Sequence, residues 1–240
     1  MELVGVVLAG GKGTRFASRD TNKVAFLLAG KPIILYGVEL LERLKITPII
    51  VVVGFAKESV KKALEGHTVT FVEQKEQLGT ANAVALAVKK LPPTATNVLV
   101  INGDDPFHKE ENVRHLMKIH EATEAAITFT TTKLANPRGM GRIVHDSQGK
   151  VTAIVEENDA TDEQRKIKEV NVASYIFTLD FLKKYLSKLA KNPVTGEYYL
   201  TDLIVLAAEN GERIETLSVG GKWKGINSPG DLREAEKLLS

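Results

Sequence analysis

The chain has 240 residues, enough for one domain with a sizeable core. Its 32 basic and 30 acidic residues leave a net charge of +2, which gives no reason to expect nucleic acid or an anionic membrane as a partner. It contains no cysteine, which excludes disulfides, thiolate metal sites and cysteine nucleophiles. Residues 4–8 are apolar and read as a buried parallel strand, not as a signal peptide, because no basic segment precedes them and no cleavage pattern follows. No apolar run is long enough to span a bilayer, so a cytoplasmic protein is the expectation.

The first strand stops in Gly10-Gly11-Lys12-Gly13-Thr14-Arg15. Glycines at a strand's carboxyl end let backbone N–H groups approach an anion that side chains would block. In an open α/β sheet that end is where ligands sit. The stretch therefore reads as a phosphate-binding loop, with Lys12 and Arg15 adding charge. A Walker loop, G-x-x-x-x-G-K-[ST], is absent, and in the dinucleotide pattern G-x-G-x-x-G the third glycine is replaced by Phe16. What remains is L-x-G-G-x-G-T-R, followed by Lys23.

A helical pattern opens after Lys31-Pro32, with Ile34, Val38, Leu41 and Lys45 on one face. Residues 48–54 read as a second buried strand, 57–64 as a short helix and 68–72 as a third strand. A polar loop holding Gln74, Gly79 and Thr80 leads to a helix at 81–91, ended by Pro92-Pro93. Residues 97–102 form a fourth strand that runs into Gly103-Asp104-Asp105-Pro106. A helix at 110–123 and a strand at 125–132 follow. Asp146-Ser147-Gln148-Gly149 signals a hairpin. Then come a short exposed helix at 159–168, a strand at 170–177, helices at 179–190 and 201–210, short strands at 214–219 and 223–226, and a helix from Pro229. Strands that are apolar throughout and alternate with helices predict an α/β fold, a mostly parallel sheet flanked by helices. The expected division is a single domain, 1–240. Residues 1–135 bind nucleotide, 136–225 form a smaller lobe on the sugar side, and 229–240 form a closing helix.

Asp104 ends a buried strand, which puts its carboxylate at the sheet edge beside the first loop. Mg²⁺ takes oxygen ligands and needs only one or two carboxylates when a nucleotide brings phosphates. Asp104 is the candidate ligand, and Asp105 is assigned to the turn. Arg15, Lys23 and Asp104 are the candidate catalytic residues, because phosphoryl and nucleotidyl transfer need positioning and charge stabilisation more than covalent chemistry. A sugar phosphate is already an anion near neutral pH, its second pKa being about 6, so no general base is required. The five histidines share no spacing and read as surface or turn residues.

The glycine loop with Arg15 and Lys23 is the signature of the sugar nucleotidyltransferases. The chain more specifically resembles the uridylyltransferase domain of bacterial N-acetylglucosamine-1-phosphate uridylyltransferases. The blocks that carry this are Glu76-Gln77-Leu78-Gly79-Thr80-Ala81, Gly103-Asp104, Gly141-Arg142-Ile143, Ile154-Val155-Glu156, Asp159-Ala160-Thr161-Asp162-Glu163-Gln164-Arg165, Gly196-Glu197-Tyr198-Tyr199-Leu200-Thr201-Asp202 and Gly225-Ile226-Asn227. The resemblance implies that Leu8, Ala9, Gly10, Gly11, Lys12, Gly13, Asn102 and Gly103 line the nucleotide site. It implies that Gln74, Gly79 and Thr80 read uracil and that Asp104 and Asn227 hold Mg²⁺. Gly141, Glu156 and Asn171 would contact the amino sugar. Glutamine's amide suits an imide edge by offering donor and acceptor together.

The sequence departs from this pattern in three places. Bifunctional members continue into an acetyltransferase, whereas this chain ends at Ser240, so no acetyl transfer is expected of it. Asn102 stands where the family usually has tyrosine or a similar residue. Asn171-Val172-Ala173 replaces the usual N-T-G beside the sugar. The expected reaction is Mg²⁺-dependent: UTP plus N-acetylglucosamine 1-phosphate gives UDP-N-acetylglucosamine and pyrophosphate. The alternatives are glucose 1-phosphate or another pyrimidine triphosphate, or a non-catalytic domain that binds a sugar nucleotide.

Overall fold

The first predicted strand lies in the middle of the sheet. The computed structural model describes residues 1–16, 18–220 and 225–239. Its elements begin with β1 (Leu3–Ala9), two 3₁₀ turns (Thr14–Phe16 and Lys23–Ala25), β2 (Leu27–Leu28), β3 (Lys31–Pro32) and α1 (Ile33–Arg43). They continue with β4 (Ile49–Val53), α2 (Lys57–Ala63), β5 (Thr70–Glu73), α3 (Thr80–Val88), β6 (Asn97–Asn102) and α4 (Glu110–Thr123). The second half holds β7 (Ile127–Lys133), β8 (Arg142–His145), β9 (Val151–Val155), α5 (Asp162–Arg165), β10 (Glu169–Thr178), α6 (Leu179–Tyr185), α7 (Asp202–Glu209), β11 (Ile214–Ser218) and α8 (Pro229–Leu239).

Among the described residues nine strands make one sheet, in the order β11-β7-β10-β6-β1-β4-β5, with β8 paired to β10 and β9 to β8. β6, β1, β4 and β5 run parallel, as do β7 and β11. β10 runs antiparallel between β6 and β7. An inner strand is buried on both faces whichever way it runs, so the apolar text of residues 170–177 carries no sign of direction. The described residues of 136–225 build no separate sheet: β8, β9, β10 and β11 all belong to the central one.

Alternation along the inner strands divides the interior into two layers. Val4, Val6, Ile50, Val52, Val98 and Val100 face one layer, packed with α3. Leu3, Val7, Ile49, Val51, Leu99 and Ile101 face the other, packed with α1. Five rings continue the first layer. Phe129, Tyr175, Phe177, Phe181 and Tyr185 succeed one another with centroid separations of 5.8, 5.6, 6.3 and 4.7 Å. A third, smaller cluster joins α8 to the start of the chain through Leu28, Ile33, Ile226 and Ala235.

Several elements are shorter than the sequence predicts. α3 ends at Val88, three residues before the expected limit, because the residue preceding a proline is pushed out of the helical region and the chain leaves early. The expected helix at 179–190 is α6 followed by a 3₁₀ turn (Leu186–Lys188). The exposed helix at 159–168 contracts to α5, held by a capping box between Thr161 and Gln164. The β2–β3 hairpin escapes the sequence because its turn is Ala29-Gly30, both with positive φ (50° and 81°), rather than a recognisable Asn-Gly. The strand expected at 223–226 falls at 223–224 outside the described residues. No helix among the described residues is long and apolar enough to cross a membrane.

Candidate active site

β1 lies between β4 and β6, where the strand order reverses, and the carboxyl ends of these parallel strands open on one edge. Such a switch point is where α/β sheets bind ligands. A cavity of about 510 Å³ occupies it. Residues 8–13 form one wall, Gln74, Gly79 and Thr80 a second, and Lys23, Asn102, Asp104 and Asn227 a third. Gly103 stands just behind, its N–H donating to the Leu8 carbonyl at 2.9 Å, and Leu8 and Asn102 are register partners. The side chain of Arg15 lies outside the described part of the structure.

The loop's carbonyls are tied down while its N–H groups are not. Phe55 N–H donates to the Gly10 carbonyl at 3.1 Å. The Asn22 amide donates to the carbonyls of Ala9 and Gly11, each at 3.1 Å, and to that of Phe55 at 2.8 Å. Among the described residues no protein acceptor takes the N–H groups of Gly11, Lys12 or Gly13. A run of free main-chain donors is a concavity suited to phosphate. Asn22 is buried at 1% exposure and is a residue that sequence reasoning missed. Nothing in its neighbourhood distinguishes it from an ordinary loop asparagine.

Three distant segments meet at the ammonium of Lys23. It donates to Asp104 Oδ2 in a short ion pair and to Asn227 Oδ1 at 3.1 Å. Asn227 is held by its own helix: its N–H donates to Asp231 Oδ2 at 3.1 Å, and Ile226 N–H donates to the Asp104 carbonyl at 3.3 Å. One carboxylate oxygen and one amide oxygen thus share the Lys23 ammonium, and two such oxygen donors are of the type that Mg²⁺ takes beside substrate phosphates. Among the described residues no group of three or more His, Asp or Glu could hold a metal without a ligand's help. Asp105 makes the turn assigned to it, accepting from Phe107 N–H at 2.9 Å.

Gln74 is buried, and both N–H groups of its amide are engaged, by the Gly79 carbonyl at 3.0 Å and Asn82 Oδ1 at 2.9 Å. The expectation of a donor and an acceptor together is therefore corrected to an acceptor alone. Oε1 faces Gly10, where an added Cβ would lie 2.9 Å from it. Gly79 has φ +97°, and a Cβ there would meet the Tyr198 carbonyl at 2.4 Å. The Glu197-Tyr198-Tyr199 segment packs on this turn, with Tyr198 N–H donating to Leu78 O at 2.8 Å.

Gly141, Glu156 and Asn171 come together in a second place, outside the walls of that cavity. Asn171 N–H donates to the Gly141 carbonyl at 3.0 Å. A Cβ on Gly141 would meet Ile154 Cγ2 at 2.8 Å and Glu156 Oε1 at 3.4 Å, so the glycine makes room for the hairpin first. Glu156 is pushed above the usual carboxylate range by burial. The Thr201 hydroxyl, donating to it at 3.2 Å, opposes the shift, and Asp159 and Asp202 add to it. Asp202 is raised too, by burial and by Asp159. The Asn171 side chain is drawn inward: Oδ1 accepts from Ala173 N–H at 2.9 Å and Nδ2 donates to the Tyr175 hydroxyl. The register of β10 with β7 breaks between Asn171 and Tyr175, and Ala173 in that bulge has φ +52°. Two histidines have buried side chains instead of exposed ones. His120 bonds Thr128 and Asn97 at 2.8 and 2.9 Å, and burial lowers its pKa to about 4. His108 bonds Ser174 at 2.9 Å.

The nucleotidyl transferase family profile matches residues 4–240. The bifunctional protein GlmU of Caldicellulosiruptor saccharolyticus is 40% identical over 237 residues, covering 98% of this chain and 51% of that protein. GlmU of Carboxydothermus hydrogenoformans is 42% identical over 235 residues, covering 97% and 52%. The chain spans about half the length of the curated relatives it matches. Its fold is shared with a Bacillus anthracis protein described as a glucose-1-phosphate thymidylyltransferase and solved with sucrose. The TM-score is 0.83 at 20% identity, covering 98% of this chain and 94% of that one. The glycine loop, the switch-point cavity and the match over residues 4–240 together place this chain in the nucleotidyl transferase family.

Proposed function

We propose that the chain is a sugar-1-phosphate uridylyltransferase that makes UDP-N-acetylglucosamine and pyrophosphate from UTP and N-acetylglucosamine 1-phosphate. The observation that carries this is the convergence of Lys23, Asp104 and Asn227 beside a loop of free N–H groups. The reading is supported by the relatives' similarity over nearly the whole chain. Nucleotidyl transferases generally use a divalent metal. Here Mg²⁺ is the proposed ion, with Asp104 and Asn227 as its ligands.

UTP's phosphates lie on the N–H groups of residues 11–13, with Arg15 and Lys12 supplying charge. The base lies against Gln74, Gly79 and Thr80, where Gln74 Oε1 accepts the imide N–H. Leu8, Ala9, Asn102 and Gly103 shape the floor beneath it. The sugar lies toward the hairpin, where Gly141 admits the ring and Glu156 and the Asn171 region supply acceptors. The phosphate oxygen of the sugar attacks the α-phosphorus in line, that P–O bond forms, and the bond to pyrophosphate breaks. No base is needed, because the attacking oxygen is already deprotonated near neutral pH. Lys23 stabilises the charge that gathers on the phosphoryl oxygens, the effect that dominates such transfers. When bound, Mg²⁺ supplies further neutralisation of that charge.

Pyrophosphate release from UTP, Mg²⁺ and a panel of sugar 1-phosphates tests the proposal. N-acetylglucosamine 1-phosphate should exceed glucose 1-phosphate in kcat/KM by tens of fold, because the acetyl methyl contributes only ~1–3 kcal/mol of discrimination. Equal values would remove the amino-sugar assignment. No pyrophosphate with any sugar would remove the enzyme.

A further inference from the structure

We infer that Asn82 is a positioning residue for base selection, holding the Gln74 amide so that its carbonyl and not its NH₂ faces the base. The inference rests on the proposed reading of the cavity as a uridine nucleotide site. An amide in a pocket can turn by 180° and exchange acceptor for donor, so a glutamine alone does not select between an imide and its opposite. In this protein two acceptors remove that freedom. The Gly79 carbonyl takes one N–H of Nε2 at 3.0 Å, and Asn82 Oδ1 takes the other at 2.9 Å. With Asn82 as it stands, turning the Gln74 amide would set Oε1 against both oxygens and break both bonds.

The supports differ in kind. The Gly79 carbonyl is main chain, part of a turn with φ +97°, and it also accepts from Ala83 N–H at 3.2 Å. Asn82 is a side chain on the first turn of α3 and is not itself a wall of the cavity. It therefore acts on a ligand only through Gln74. With both N–H groups held, Oε1 remains beside Gly10, another wall of the same cavity. An acceptor there pairs with the N3–H of uracil or thymine. Against cytosine, whose N3 carries a lone pair, it is repulsive. The discrimination then comes from leaving a buried polar atom unpaired, which is how a hydrogen-bonding site rejects the wrong partner.

The test compares kcat/KM for UTP and CTP, with sugar 1-phosphate fixed, in wild type, Asn82→Ala and Asn82→Asp. Aspartate keeps the acceptor and alanine removes it. Wild type should prefer UTP. Asn82→Ala should shrink the UTP:CTP ratio about fivefold, the worth of one neutral hydrogen bond, and Asn82→Asp should keep it within about twofold of wild type. If alanine loosens α3, Asn82→Leu fills the position without a polar atom and should shrink the ratio in the same way. A ratio unchanged in Asn82→Ala, or rates for both nucleotides falling together in all variants, would overturn the role of Asn82. A wild type that uses UTP and CTP equally would overturn the reading of the base site as well, and that outcome is visible before any variant is made.

Discussion

At the glycine-loop end the functional groups are main-chain N–H groups at residues 11–13, left bare because Asn22 and Phe55 hold the neighbouring carbonyls. At the hairpin end, 141–171, they are side chains: a half-buried Glu156 crowded by Asp159 and Asp202, and an Asn171 amide folded into its own bulge. The first is built on strands whose parallel register fixes where they end. The second is built on antiparallel β8, β9 and β10, joined through a register break. A main-chain site resists change, because any added side chain fills the space the ligand needs. A side-chain site is adjustable, and its groups are held in states that folding alone would not choose. In this chain the chemistry is assigned to the first and the choice of sugar to the second.

The largest expected effect is at the loop end. Asp104→Asn should lower kcat by about a thousandfold with Tm nearly unchanged, since loss of a charge at a transferring phosphate costs several kcal/mol of barrier at ~1.4 per tenfold. Near wild-type turnover in Mg²⁺ would remove Asp104 as a ligand. Next is Gly10→Ala. Its Cβ would stand 2.9 Å from Gln74 Oε1, so KM for UTP should rise about tenfold while KM for the sugar phosphate stays put. A shift in the sugar constant instead would mean that the two ends are not separate.

The hairpin end should respond in the opposite sense. Glu156→Gln should weaken sugar phosphate binding and stabilise the fold. Burial lifts the folded-state pKa of Glu156 above its unfolded value, so at neutral pH the ionised form costs stability. That cost disappears as pH falls through the raised folded pKa toward 4.5. The variant's Tm advantage, about 2–4 °C at pH 7, should therefore shrink to nothing in acid. An advantage constant with pH would assign it to packing. The smallest effect is at the bulge. Ala173 holds φ +52°, where the family pattern has glycine, so Ala173→Gly should gain about 0.5–1 kcal/mol in urea unfolding. A loss would mean that the alanine methyl packs better than its backbone suffers.

The same contrast explains what the sequence made legible. A parallel strand ending in glycines has one reading, because apolar text on both faces and small residues at the exit impose both burial and a ligand edge. That is why residues 8–13 and Asp104 could be read from the sequence as one ligand edge, while Gln74 and Asn227, which line the same cavity, came only from the family resemblance. Local periodicity cannot report partners far away in the chain. The antiparallel course of β10, the Ala29-Gly30 turn, the inward fold of Asn171 and the burial of the His108 and His120 side chains are set by such partners. Asn22 and Asn82 escaped for a related reason: each acts on another functional group, Asn22 on the loop carbonyls and Asn82 on the Gln74 amide.

The division between the two ends is tested most directly by measuring both Michaelis constants in Gly10→Ala and Glu156→Gln. Gly10→Ala should raise KM for UTP about tenfold and leave the sugar phosphate within about twofold. Glu156→Gln should give the reverse pattern. If either variant moved both constants together, the loop and the hairpin would be one site with shared duties, and the separation of chemistry from sugar choice would be wrong.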